Sequence, residues 1–291
     1  MIDYHLHVWP HARGTPPPTA DVLAGYVARA AARGIERIAI TEHSHRFVQV
    51  DAVARGFWTG AESRLAAATA AVWQEEQGAD LDAYCEAIQA AQRDGMPIEL
   101  GIEVDLLPGR ASAMAEVIAG YPFDVRLGSV HWLGAWLFDA YGTDAFVAEW
   151  GRRGHERAWT EYAEALAELA GSGLCDVVAH CDVVKVAGRL PDPGHRRAIE
   201  DRLVDVLAGS GLDVEVSSAG WRKLAAEQYP SRRLLEALHR AGVAITLGSD
   251  AHVEEQVGWE YERLLALVGE VGYDQVVTYA GGTRALVDLS P

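Results

Sequence analysis

Six short apolar runs in this chain each stop at a side chain that binds metals. They are Asp3-Tyr4-His5-Leu6-His7, Ile38 to Thr41-Glu42-His43, Ile98 to Gly101-Ile102-Glu103, Val125 to Val130-His131, Asp176 to His180, and Ile245 to Ser249-Asp250-Ala251-His252. Residues two apart on an extended strand share a face, so His5 and His7 would present two imidazoles side by side. A lone His-x-His pair is commonly just solvated. Six strand ends of the same chemical type are not readily produced by scatter.

Helical patterns fill the intervals. Residues 8–18, with Pro16-Pro17-Pro18, are too rich in turn formers for regular structure. Thr19 can cap a helix over 20–33, closed by Gly34, ahead of a strand over 35–41. Further helices are expected at 81–93, 111–119, 194–208 and 231–240, with a long helical region over 144–170 that Gly151 or Gly154 could break. Strands are expected over 97–105, 123–131, 176–180, 213–217 and 243–249, an aromatic loop over 132–141, and two closing helices from 254 onward. Residues 44–80 are too long for a simple connection and read as an elaborated loop and helix over the mouth of the fold.

Seven strands alternating with helices argue for a parallel sheet, and metal-binding residues at the strand C-terminal ends are where (β/α) barrels keep their chemistry. An open doubly wound sheet would feed its site from only a few strands. The expectation is therefore a single-domain α/β chain over residues 1–291. There is no Gly-x-Gly-x-x-Gly and no Walker loop, which removes the usual dinucleotide and NTP readings.

A formal charge of -17 argues against general nucleic-acid binding, which needs clustered Lys and Arg, while it would help gather divalent cations. A phosphorylated substrate would then be held by the metals and a few local cationic side chains. Three cysteines, Cys85, Cys175 and Cys181, are an odd count in a long chain and suggest a reducing compartment. No run approaches 18 uninterrupted apolar residues, and the N-terminus carries Asp3, His5 and His7 where a secretory leader would be apolar. A cytoplasmic protein without membrane partners is the expectation.

The ordered motifs His5-Leu6-His7, Thr41-Glu42-His43, Gly101-Ile102-Glu103, Gly128-Ser129-Val130-His131, His180 with Asp182, and Gly248-Ser249-Asp250-Ala251-His252 resemble the PHP (polymerase and histidinol phosphatase) phosphoesterases. Within them, Gly128 to Phe138, Ser217-Ser218-Ala219-Gly220-Trp221-Arg222-Lys223 and Tyr229-Pro230-Ser231 look like the histidinol-phosphate phosphatases. The resemblance implies a distorted seven-stranded TIM-like barrel holding two or three divalent metals. His5, His7, Glu103 and Asp250 would hold the first. Glu103 would bridge to a second with His131 and His180, and His11, His43 and His252 would hold the third. Glu103, Asp250 and His252 are the expected catalytic residues.

Mixed imidazole and carboxylate donors suit Zn, Mn or Fe. Metals about 3.5 to 4 Å apart could share a hydroxide, the parent water being acidified from a pKa of about 15.7 toward roughly 7, for in-line attack on phosphorus. His45 could protonate the leaving alcohol, touch substrate or sit solvated at a loop start. Arg222, Lys223 and Lys185 follow strand ends and could meet a phosphate, or be surface charges. Trp132, Trp136 and Phe138 could wall a pocket for a flat group or pack as core. His155, His195 and His239 read as surface histidines.

The leading reading is a phosphomonoesterase that converts L-histidinol phosphate to L-histidinol and inorganic phosphate. The alternatives are another small phosphate monoester or a phosphodiester as substrate, a metal-dependent amidohydrolase, and a non-catalytic binding barrel.

Overall fold

The computed structural model describes residues 1–9, 16–140 and 142–289. In chain order its elements begin with β1 (Ile2–Leu6), α1 (Ala20–Ala31), β2 (Arg37–Ile40), α2 (Val48–Ala54), α3 (Ser63–Glu76), α4 (Leu81–Arg93), β3 (Ile98–Asp105), α5 (Ala111–Ile118) and β4 (Val125–Ser129). They continue with β5 (Trp132–Leu133), β6 (Trp136–Leu137), α6 (Asp144–Arg153), α7 (His155–Gly171), β7 (Val177–Val178), α8 (Pro193–Ser210), β8 (Asp213–Ser217) and α9 (Arg232–Arg240). The chain closes with β9 (Ile245–Gly248), α10 (Tyr261–Val271), β10 (Gln275–Ala280) and β11 (Thr283–Asp288).

The expected parallel sheet forms, in the order β1-β2-β3-β4-β7-β8-β9. Its strands are sheathed on both faces, which is why β3 is buried along its whole length. The two ends of this order meet. Leu6 bridges Ala251 in parallel, and the His7 N–H donates to the Ala251 carbonyl at 2.8 Å. Asp3 locks the same seam, accepting from the Ser249 N–H at 2.8 Å, the Ser249 hydroxyl at 2.6 Å and the Gly258 N–H at 2.9 Å. The result is a nearly closed seven-stranded barrel with helices between its strands.

Local chemistry explains the helix starts. The Thr19 hydroxyl accepts from the Val22 N–H ahead of α1, and Asp80, Asp192 and Ser231 cap α4, α8 and α9 in the same way. Of the two candidate breaks in the 144–170 region, Gly154 is used, at φ 81, while Gly151 stays inside α6. The aromatic loop contains the small β5–β6 ribbon, turned at Gly134. Residues 44–80 supply a turn at Ser44–Arg46 followed by α2 and α3.

The C-terminus differs from expectation. Among the described residues from 254 onward, α10 and a short helical turn at Glu254–Gln256 are helical; the second expected helix is replaced by the antiparallel β10–β11 hairpin. Val276, Val277, Thr278 and Tyr279 favour an extended chain, and Gly281-Gly282, both at positive φ, make the two-residue turn. The hairpin is bolted to the N-terminal ends of the barrel strands. Asp213 accepts from the Tyr279 hydroxyl at 2.5 Å and from the Arg284 guanidinium twice at 2.7 Å, and Glu99 accepts from the Gly281 N–H at 3.1 Å. The opposite rim is left for chemistry. Among the described residues no helix is long and apolar enough to cross a membrane.

Candidate metal centre

At the C-terminal rim the strand ends converge on one carboxylate. Glu103, fully buried near the end of β3, divides its two oxygens between two sets of imidazoles. Oε2 lies 2.7 Å from His43 Nδ1, 3.4 Å from His5 Nε2 and 3.5 Å from His7 Nε2. Oε1 lies 3.1 Å from His180 Nε2 and 3.7 Å from His131 Nε2. Asp250 Oδ1 stands 3.5 Å from His7 Nε2 and 3.8 Å from His5 Nε2. The His252 ring lies 4.4 Å from that of His7.

These atoms form overlapping groups whose members lie within 4.8 Å of one another: His5 with His7 and Asp250, His5 with Glu103 and His180, His43 with Glu103 and His131, His7 with His43 and His252, and His43 with His45 and Asp105. Eight of the nine expected metal-binding residues therefore gather at one place. His11, the ninth, lies outside the described residues.

The donor set suits divalent cations on physical grounds. The Nε2 atoms of His5 and His7 are buried without a hydrogen-bond partner among the described residues, and both face Glu103 Oε2 and Asp250 Oδ1. Each such atom would cost about 1–3 kcal/mol if left so. A cation coordinated by imidazole and carboxylate would satisfy both of them together. Backbone strain points the same way, because His180 at φ 27 and Asp250 at φ 49 are non-glycine residues in the left-handed region. Such strain persists only where the surroundings enforce it, and it concentrates at functional sites.

Electrostatics sort the cluster. Burial opposes ionisation of Glu103, but the surrounding His43, His5 and His131 hold it well below the usual carboxylate range. Asp250 is held low against burial by His7, His5 and His252. Burial pushes His43 down to about 3. For His131 burial is outweighed by Asp105 and Glu103, which bring it up to about 10.

A further row of side chains fixes these rings. Asp105 Oδ1 accepts from His131 Nδ1 at 2.5 Å, and its Oδ2 accepts from His45 Nδ1 at 3.0 Å. His45 Nε2 in turn lies 3.0 Å from Glu76 Oε2 on α3. Glu42 Oε1 accepts the backbone N–H groups of Val8 and Trp9 at 2.6 and 2.9 Å, tying down the chain just after His7. Asp105, Glu76 and Glu42 were not among the expected site residues, although Glu42 and Asp105 stand beside them in sequence.

The five expected substrate contacts separate. A cleft of about 330 Å³ beside the cluster is lined by His43, His45, Glu76, His131, Trp132 and Lys223, among others. His45 is buried and saturated by its two carboxylates, so the solvated alternative does not hold. Arg222 donates to the carbonyls of Ser249 and Asp250 at 2.8 and 3.0 Å, holding the strained Asp250 backbone, while its Nη1 is buried without a partner. Lys185 is not at the cleft. It is fully buried, pairing with Asp182 at 2.8 Å and Glu227 at 3.0 Å and donating to the Gln228 carbonyl at 2.6 Å. Trp136 and Phe138 are buried core residues.

Fold and donor set together define a barrel with a cluster of candidate cation donors at its C-terminal rim. The PHP domain profile matches residues 4–219. A relative from Deinococcus radiodurans, named a probable histidinol-phosphatase, is 32% identical over 275 residues, covering 94% of each chain. A histidinol-phosphatase from Lactococcus lactis is 24% identical over 290 residues, covering 96% of this chain and 94% of its own. The solved structure of histidinol phosphate phosphatase from Lactococcus lactis, complexed with zinc, L-histidinol and phosphate, superposes with a TM-score of 0.69 at 23% identity and 98% coverage of both chains. The chain belongs to the PHP domain family.

Proposed function

We propose that this chain is a metal-dependent phosphomonoesterase that hydrolyses L-histidinol phosphate to L-histidinol and inorganic phosphate, all 291 residues forming one catalytic barrel with residues 44–80 as its cover. The observation that carries this reading is the buried Glu103 hub, two of whose histidines, His43 and His131, line a cleft that also holds Lys223 and Trp132. Relatives along nearly the whole chain are named histidinol-phosphatases, which supports the choice of substrate.

In this reading His5, His7, Glu103 and Asp250 would hold one ion, Glu103, His131 and His180 a second, and His43 and His252 a third, with His11 as its further expected donor. Zinc leads because it accompanies the Lactococcus lactis phosphatase; manganese and iron suit the same donors. Such ions would supply Lewis acidity, making a water acidic enough to attack phosphorus and neutralising charge on the phosphoryl oxygens. Glu103 and Asp250 contribute by staying ionised at the rim.

Lys223, which lines the cleft, would meet the phosphate, with its sequence neighbour Arg222 as the second expected cation. Trp132 would wall the imidazole side of the substrate, with Glu76 and His45 completing that wall. Lys185 takes no part, since its ammonium is committed to Asp182 and Glu227. Three free, buried cysteines suit a reducing, cytoplasmic setting.

The test is phosphate release by zinc-loaded protein from L-histidinol phosphate beside other small mono- and diesters. A kcat/KM for histidinol phosphate about 10-fold or more above every other ester is expected. Equal rates across the panel would contradict the substrate while leaving phosphoesterase chemistry standing.

A further inference from the structure

Glu215 lies in the middle of β8 with no exposed surface, and nothing in the metal-dependent reading uses it. Its Oε1 is 2.9 Å from His5 Nδ1, and its Oε2 accepts the backbone N–H of His180 at 2.7 Å. The two residues come from β1 and from the loop after β7, and both turn Nε2 toward Glu103, at 3.4 Å for His5 and 3.1 Å for His180.

We infer that Glu215 is a positioning residue that sets two metal donors at once, the ring of His5 and the strained backbone of His180. The inference rests on the metal-dependent reading above. With its Nδ1–H given to Glu215, His5 keeps its lone pair on Nε2, the nitrogen that faces Glu103. A charge-assisted bond to the His180 N–H holds that residue at φ 27, a conformation uncommon for a side-chain-bearing residue.

The sequence keeps room for this bond. In the closed barrel β9 lies between β8 and β1, so Glu215 must reach His5 across Gly248. A Cβ on Gly248 would overlap Glu215 Oε1 and come within 2.8 Å of the His5 Cβ. Gly248 is not at positive φ, so space and not backbone conformation is what requires glycine there.

The test titrates zinc into metal-stripped wild type and the variants Glu215→Gln, Glu215→Asp and Gly248→Ala against a chromophoric competitor, with circular dichroism reporting the fold. Gln keeps the size but presents an NH2 to one of the two N–H groups, Asp withdraws the carboxylate by a methylene, and Ala displaces it. Every folded variant is expected to bind its tightest zinc about 10–100-fold more weakly. In Glu215→Gln the imidazole 15N shifts of His5 in the zinc-loaded protein are expected to move away from those of the Nδ1–H tautomer. Folded variants with wild-type zinc affinity would overturn the inference alone, as would failure of all three to fold, which would make Glu215 a folding residue. A wild type that binds no zinc would overturn the metal-dependent reading and the inference with it.

Discussion

His45 is held between Asp105 and Glu76, and this arrangement has a thermodynamic consequence. Burial disfavours its imidazolium, but hydrogen bonds to the two carboxylates outweigh burial and raise its pKa from 6.5 to about 9. Because the folded value is the higher one, the stability His45 contributes is fully present below pH 6.5 and is lost as pH rises through about 9. Urea unfolding of metal-free protein should therefore show a loss between pH 7 and 9.5, relative to His45→Asn, of about 2 kcal/mol. Parallel pH slopes for the two proteins would contradict it. The residues that end each apolar run were legible in sequence because six runs repeat one chemical pattern. Glu215 was not, since Val214-Glu215-Val216 reads equally as a strand with its carboxylate in water. Only the clearance over Gly248 and the distant His5 turn that carboxylate inward.

At the scale of the element, the turn after β7 explains why Lys185 misread as a substrate contact. It follows a strand end, as phosphate-binding cations do, but the short helical turn at Val183–Lys185 points it into a buried pair with Asp182, whose other contact is the Ser231 N–H at the start of α9. Lys185→Met should leave Asp182 unpaired and destabilise the fold by about 3–5 kcal/mol, measured by denaturant titration, with kcat/KM changed little. A large loss of kcat/KM at unchanged stability would return Lys185 to the substrate. The seven barrel strands were legible because apolar runs bounded by turn formers repeat between helical patterns. The β10–β11 hairpin was not, because it follows α10 closely and its Gly281-Gly282 turn signal is confined to two residues.

Across the whole molecule, the barrel closes through Asp3 and the β1–β9 seam, and the site lies at the rim where those strands meet. Ions bound by donors from β1, β3 and the loops after β7 and β9 would cross-link elements far apart in sequence, so metal affinity becomes folding stability. At a zinc concentration about 1,000 times Kd the gain is about 4 kcal/mol, and chelation should lower Tm by roughly 10 °C, reversibly on adding zinc back. An unchanged Tm would mean that the cluster is not a stabilising metal site.

The most direct measurement combines metal content with turnover: phosphate release from L-histidinol phosphate by zinc-loaded wild type, by the same protein after chelation, and by zinc-loaded Asp250→Asn. Asp250 is the rim carboxylate beside His5 and His7, so kcat/KM should fall about 100-fold or more in the variant and vanish on chelation, returning when zinc is restored to the wild type. Undiminished turnover in the chelated protein or in Asp250→Asn would contradict a metal-dependent phosphatase built on the Glu103 hub.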